Sequence, residues 1–149
     1  LEELQGKAAV ANAKIAYVLF EELFSGPRWE TLAAAGARPQ RPLWASTGTK
    51  NPNYPDTLYV DTLIGPYTIN TMPNKTIQAF LDHGTVKRTV DSDIEQAKNV
   101  LLDLEAAGIS IDAVTAQLEE DGIQSFMHSF QTLLEVVEGK RASLASVAD

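Results

Sequence analysis

The sequence predicts an α/β fold: the C-terminal portion of a (β/α)8 barrel carrying its last two strands, followed by several additional helices. Three observations lead there. Two short apolar runs, 42–46 and 68–72, are separated by about twenty residues that include a helix, a spacing that suits parallel neighbours joined by a crossover. Helical periodicity surrounds them on both sides, which leaves two strands too few for an independent sheet. The chain has 149 residues, whereas a complete barrel needs roughly 250.

The elements follow in order. Residues 1–24 read as an amphipathic barrel helix, with Leu4, Ala8, Ala11, Ile15 and Val18 at three- and four-residue steps and Leu19 and Leu23 beside them. Ser25-Gly26-Pro27 ends it, and Trp29 to Ala35 forms a further helical turn or two closed by Gly36. Residues 41–84 hold the two βα units. Pro42 to Ser46 is a buried strand, and Lys50 to Asp56 is a loop because its prolines and asparagines oppose regular structure. Asp56 caps a short helix through Leu63 or Ile64, which Gly65-Pro66 stops. Thr68 to Met72 is the second strand, ended by Pro73, and Asn74 caps a helix through about Asp82. Residues 91–149 are helical. Ser92 and Glu95 make a capping box for a helix with Ile94, Ala97, Leu101 and Leu104 on one face, stopped by Gly108. Ser110 opens a helix that Asp121-Gly122 stops, and a last helix from Ile123 to Arg141 turns Phe126, Phe130, Leu134 and Val137 inward. The tail after Ser143 carries no pattern and is expected to fray.

Composition narrows the function. With 44% hydrophobic and 21% charged residues a packed core is expected rather than disorder. The net charge of −8, with no basic run longer than Lys87-Arg88 or Lys140-Arg141, argues against nucleic acid as a ligand. Cysteine is absent, so disulfides, thiolate catalysis and cysteine-ligated zinc are excluded, in keeping with a reducing compartment. No apolar run reaches membrane-span length, and the acidic start at Leu1-Glu2-Glu3-Leu4 is unlike a signal peptide. That start, which is not Met, reads as a cut or processed end, and the expected location is cytoplasmic.

Ser46-Thr47-Gly48-Thr49-Lys50-Asn51 is the stretch richest in groups suited to an anion. Its hydroxyls, ammonium and glycine gather at the C-terminal end of a predicted strand, where ligands bind in α/β barrels. Gly48 would let backbone N–H groups approach an oxyanion, and Lys50 would add a charge-assisted contact. Such loops are as often plain turns. Gly48 and Lys50 are separated by Thr49, so the nucleotide-binding P-loop pattern is not met. Asn70 and Thr71, at the end of the second strand, are candidates for lining the same mouth.

The segment Arg41 to Pro52, Arg-Pro-Leu-Trp-Ala-Ser-Thr-Gly-Thr-Lys-Asn-Pro, closely resembles the strand and loop of the longer, bacterial branch of the transaldolase family. So do Asp56 to Gly65 and Ile69 to Pro73; Gly6 to Tyr17 is similar to the family's preceding helix and Asp121 to Phe126 to its tail. The resemblance covers nearly the whole chain. It implies a TIM barrel and a class I aldolase mechanism, in which a lysine forms a Schiff base with a ketose phosphate and a dihydroxyacetone unit passes to an aldose phosphate in the pentose phosphate pathway. The substrates implied are sugar phosphates of the fructose 6-phosphate and sedoheptulose 7-phosphate class, with no cofactor and no metal. Substrate-phosphate binding then falls on Ser46, and by proximity on Thr47 and Lys50, the last standing where shorter members of the family have an arginine. The family's Schiff-base lysine and the small-residue run after it do not occur here, so no catalytic residue is expected in this chain, and the chain alone is expected to be inactive. The implied partners are the remainder of the barrel or, in its place, another copy. A variant of this reading is a transaldolase module fused to a glucose-6-phosphate isomerase.

The plainer readings stand beside these. Trp44 belongs to the core, Tyr54 and Tyr59 to loop and helix packing, and Phe126 and Phe130 to a helix core. His83 and His128 lack the carboxylate spacing of a metal site, and Glu21-Glu22 and Glu119-Glu120-Asp121 are helix surface. Asn74-Lys75-Thr76 matches a glycosylation sequon by chance. The alternative function class is a non-catalytic helical interaction module, which the acidic surface and the long C-terminal helices would suit.

Overall fold

The computed structural model describes residues 2–145. A 3-10 turn at Glu2–Leu4 precedes α1 (Ala8–Leu23), α2 (Gly26–Ala34), β1 (Leu43–Ala45), α3 (Leu58–Asp61), β2 (Ile69–Thr71), α4 (Asn74–His83), α5 (Ile94–Ala106) and α6 (Ile111–Ala145). The fold is helix-rich α/β. β1 and β2 pair in parallel, with Leu43 opposite Ile69, Trp44 opposite Asn70 and Ala45 opposite Thr71. The chain divides between Ala107 and Gly108 into two compact units.

In the first unit α1 lies along α5; α1 buries Ala11, Lys14 and Tyr17, and α5 buries Ala97, Val100 and Leu104. The apolar seam expected on α1 shares only Ala11 with the buried residues of α1, and Leu19 and Leu23 are 52% and 54% exposed. The buried stripe instead includes Lys14 and Tyr17, and hydrophobic periodicity passes over a buried lysine. Lys14 Nζ donates to the carbonyls of Thr89 (3.0 Å) and Ser92 (2.7 Å) and to Ser92 Oγ (3.1 Å), which uses all three ammonium protons. Burial pushes the Lys14 amine below the ordinary lysine value, against the opposing pull of Asp93 and Asp91.

That arrangement also takes Ser92 away from helix capping. Asp93, in the left-handed conformation, is the residue before α5, while Ser92 Oγ donates to Thr89 O and Glu95 pairs with Lys98 Nζ at 2.7 Å. The expected capping box is therefore absent. Asp56 and Asn74 likewise do not cap. Thr57 precedes α3 and Pro73 precedes α4, neither with a side-chain cap bond.

A small core joins α1 to the sheet. Tyr17, Leu63 and Val90 are its buried centre, with Val10, Ala13, Phe20 and Trp44 packed around them. The polar tips of its aromatics are satisfied, as burial demands: Tyr17 Oη donates to Pro66 O (3.2 Å) and Trp44 Nε1 to Leu63 O (3.1 Å). Trp44 thus plays the core role its sequence context suggests. Gly65 stands where a Cβ would run into the Val90 side chain, so no larger residue fits there without displacing the core.

In the second unit α6 is one continuous helix of 35 residues, and the stop expected at Asp121-Gly122 does not occur. Glycine inside a helix costs only about 1 kcal/mol relative to alanine. Side-chain bonds four residues apart span the point, Gln117 Nε2 to Asp121 Oδ1 (2.8 Å) and Gln124 Nε2 to Glu120 Oε1 (2.9 Å). Phe126, Phe130, Leu134 and Val137, expected to face inward, are exposed at 81%, 62%, 47% and 56%. α6 runs through Ala145; the rest of the tail, 146–149, lies outside the described residues, as does Leu1. Among the described residues no helix is long and apolar enough to cross a membrane.

Candidate functional site

Because β1 and β2 run parallel, their C-terminal ends lie at one edge, and the loops leaving them meet there. The loop after β1 carries Ser46, Thr47 and Lys50; β2 ends in Asn70 and Thr71 and leads through Pro73 into α4. The structure brings the first two and the last two of these together. Ser46 N–H donates to Thr71 Oγ1 at 3.0 Å, Thr47 N–H to Thr71 O at 3.3 Å, and Thr47 Oγ1 to Asn70 Oδ1 at 2.5 Å. Thr47 is buried, whereas Ser46 and Lys50 are exposed. Asn70 and Thr71, the candidates for lining the mouth, thus pin the loop with their side-chain oxygens.

Gly48 fits this edge for want of a side chain. A Cβ there would lie 3.0 Å from Pro73 Cγ and 3.1 Å from Thr76 Oγ1, so the loop lies against the first turn of α4. The ten-residue helix presents its N-terminal end, with the partial positive charge of its free N–H groups, toward the same region. Thr49 Oγ1 is buried and has no hydrogen-bond partner among the described residues. Such an atom is unusual in a folded protein and marks the loop as short of a polar partner. Lys50 Nζ makes no ion pair or hydrogen bond among the described residues. Thr49 was counted among the hydroxyls of the loop but given no role of its own, and Thr76 was not singled out, because only the fold places it beside Gly48.

Further along the same loop, Asp56 meets the far end of α4. His83 Nε2 lies 2.9 Å from Asp56 Oδ1 and its Nδ1 lies 3.0 Å from Asp82 Oδ2. A ring flanked by two carboxylates is best served when both nitrogens carry protons. The hydrogen bonds to Asp56 and then Asp82 hold His83 above its ordinary value, and the bond from His83 holds Asp56 below its own. The pair's small contribution to stability is complete between the ordinary values of 3.8 and 6.5. It is lost as pH rises through the raised His83 value or falls through the lowered Asp56 value. Among the described residues no cluster of His, Asp and Glu is suited to hold a metal ion.

Two cavities lie elsewhere in the first unit. One of about 300 Å³ is lined by Lys14, Leu58, Asp93, Gln96 and Val100 among others, and one of about 410 Å³ by Phe20, Phe24, Trp29, Tyr67 and Arg88 among others. Neither includes a residue of the 46–50 loop. Ser46 and Lys50 lie exposed at the strand edge.

A family model described as transaldolase/fructose-6-phosphate aldolase matches residues 1–137. A transaldolase from Parafrankia sp. is 51% identical over 146 residues, covering 97% of this chain and 40% of its own length. One from an Arthrobacter species is 54% identical over 141 residues, covering 94% of the chain and 38% of its length. One from Neisseria gonorrhoeae is 47% identical over 133 residues, covering 89% and 38%. The chain thus spans about two-fifths of the length of the curated relatives it matches.

Proposed function

This chain belongs to the transaldolase/fructose-6-phosphate aldolase family, and we propose that it forms the last two βα units of a (β/α)8 barrel that transfers a dihydroxyacetone unit between sugar phosphates. The substrates are of the fructose 6-phosphate and sedoheptulose 7-phosphate class, and the setting is the pentose phosphate pathway in the cytoplasm. A lysine on an upstream strand, outside these 149 residues, condenses with the ketose carbonyl and releases water. The resulting imine takes up the electron pair when the carbon–carbon bond beyond the three-carbon unit breaks, and returns it when that unit joins the aldose phosphate. Carboxylates near that lysine move the protons.

The role of this chain is to grip the substrate phosphate with Ser46 and Lys50, while Thr47, whose N–H and hydroxyl are spent on Thr71 and Asn70, anchors the loop that carries them. One observation carries the reading: the 46–50 loop crosses the C-terminal ends of two parallel strands with an ammonium and a buried hydroxyl that have no partner among the described residues. Ligands bind at that end in barrels, and a helix N-terminus beside it favours an anion. The open edge becomes a walled mouth once the preceding strands close the cylinder.

In the complete protein, at the length of the relatives, Lys50→Ala should raise KM for fructose 6-phosphate with kcat largely kept. A charge-assisted contact accounts for about tenfold or more in kcat/KM. Steady-state kinetics check this, and unchanged constants would remove Lys50 from the site.

A further inference from the structure

Resting on the phosphate-grip reading, we propose that Thr71 is a positioning residue that sets Ser46 for the substrate phosphate. Ser46 has φ of 52°, in the left-handed region that a residue with a Cβ seldom adopts. It is exposed, so packing does not force it there. What holds it is the end of the neighbouring strand. Thr71 offers its side-chain oxygen to Ser46 N–H and its main-chain oxygen to Thr47 N–H, at 3.0 and 3.3 Å. Asn70, one residue earlier on β2, accepts from Thr47 Oγ1 at 2.5 Å.

These bonds turn the chain sharply out of β1 at Ser46 instead of letting it continue with the strand's alternation. Locally strained, non-glycine residues of this kind persist where the surroundings over-determine them, and they gather at ligand-binding points. Thr71 therefore acts through Ser46 and touches no substrate. Its hydroxyl is committed to the loop, with Trp44 O at 3.5 Å as the other neighbour.

The test uses the complete protein with fructose 6-phosphate and with unphosphorylated fructose as substrates. Thr71→Val keeps the side-chain shape and removes the oxygen. It should raise KM for fructose 6-phosphate by about three- to tenfold, the loss of one well-placed hydrogen bond. Turnover of fructose and kcat for the phosphorylated substrate should hold, and Thr71→Ser should restore KM. Thr71→Ala carries the same expectation and replaces Thr71→Val if valine prevents folding. In a Ser46→Gly background, where the hydroxyl is gone and the left-handed turn is freely adopted, Thr71→Val should add no further increase. If Ser46→Ala raises KM but Thr71→Val does not, the positioning role is overturned and the phosphate grip survives. If neither changes KM, the grip itself fails. A Thr71→Val variant equally impaired on both substrates and not rescued by serine would show a merely structural role and overturn the proposal.

Discussion

The 149-residue chain on its own is expected to self-associate, and sedimentation should find species heavier than its 16.2 kDa. The cause is the face of α6 that carries Ile123, Phe126, Met127, Phe130, Leu133, Leu134 and Val137. These recur at three- and four-residue steps and so form one continuous stripe. All are exposed, from 47% at Leu134 to 81% at Phe126. Fully burying one such side chain is worth about 1.5–3 kcal/mol, so even partial cover of seven outweighs the cost of association. The two-stranded sheet adds open edges, which invite pairing with another chain. Net charge of −8 opposes the contact at low salt, so association should strengthen as salt screens it. Replacing Phe126 and Phe130 together by Ser should shift the distribution toward monomer. A stable monomer of the bare chain at micromolar concentration would contradict this.

Trapping with borohydride should give a second all-or-none difference. With fructose 6-phosphate present, the 149-residue chain is expected to gain no mass, whereas the protein extended at its N-terminus to the length of the relatives gains a reduced sugar-phosphate adduct. Imine formation needs a deprotonated amine that the carbonyl can reach. Lys14 is the strongest rival within the chain, because burial lowers its amine pKa. Its Nζ is nevertheless spent on three oxygen acceptors, and the residue is buried. Lys50 stands at a strand end but is exposed, with no barrel wall around it to hold a sugar carbonyl against the amine. Mass spectrometry of the reduced chains checks the prediction, and an adduct mapped to Lys14 or Lys50 in the short chain would overturn the placement of the Schiff base upstream.

How far the sequence carried the structure differs from element to element. Both strands fall inside the runs bounded by Pro42 and Pro73, and their parallel pairing follows from the length of the intervening segment. Turn residues and β-rich runs act locally, so they are legible. The buried face of α1 was not, because Lys14 belongs to it and only the tertiary partners at Thr89 and Ser92 make a buried lysine tolerable. Ser92 and Glu95 have the spacing of a capping box, yet longer-range bonds claim Ser92 and a helix neighbour claims Glu95. Gly122 looked like a stop since glycine ends many helices, but a single glycine is a weak break inside a run of good formers. At the candidate site, the 46–50 loop and the strand ends were legible as a cluster. That Asn70 and Thr71 would hold the loop was not, because cross-strand register and a left-handed φ at Ser46 have no sequence signature.

Position of the bound phosphate in a crystal of the complete protein with fructose 6-phosphate tests the central claim most directly. Its oxygens should lie about 2.7–3.0 Å from Ser46 Oγ and Lys50 Nζ, at the C-terminal edge of β1 and β2. A phosphate held by other residues, with the 46–50 loop facing solvent or remote from any parallel strand end, would contradict it.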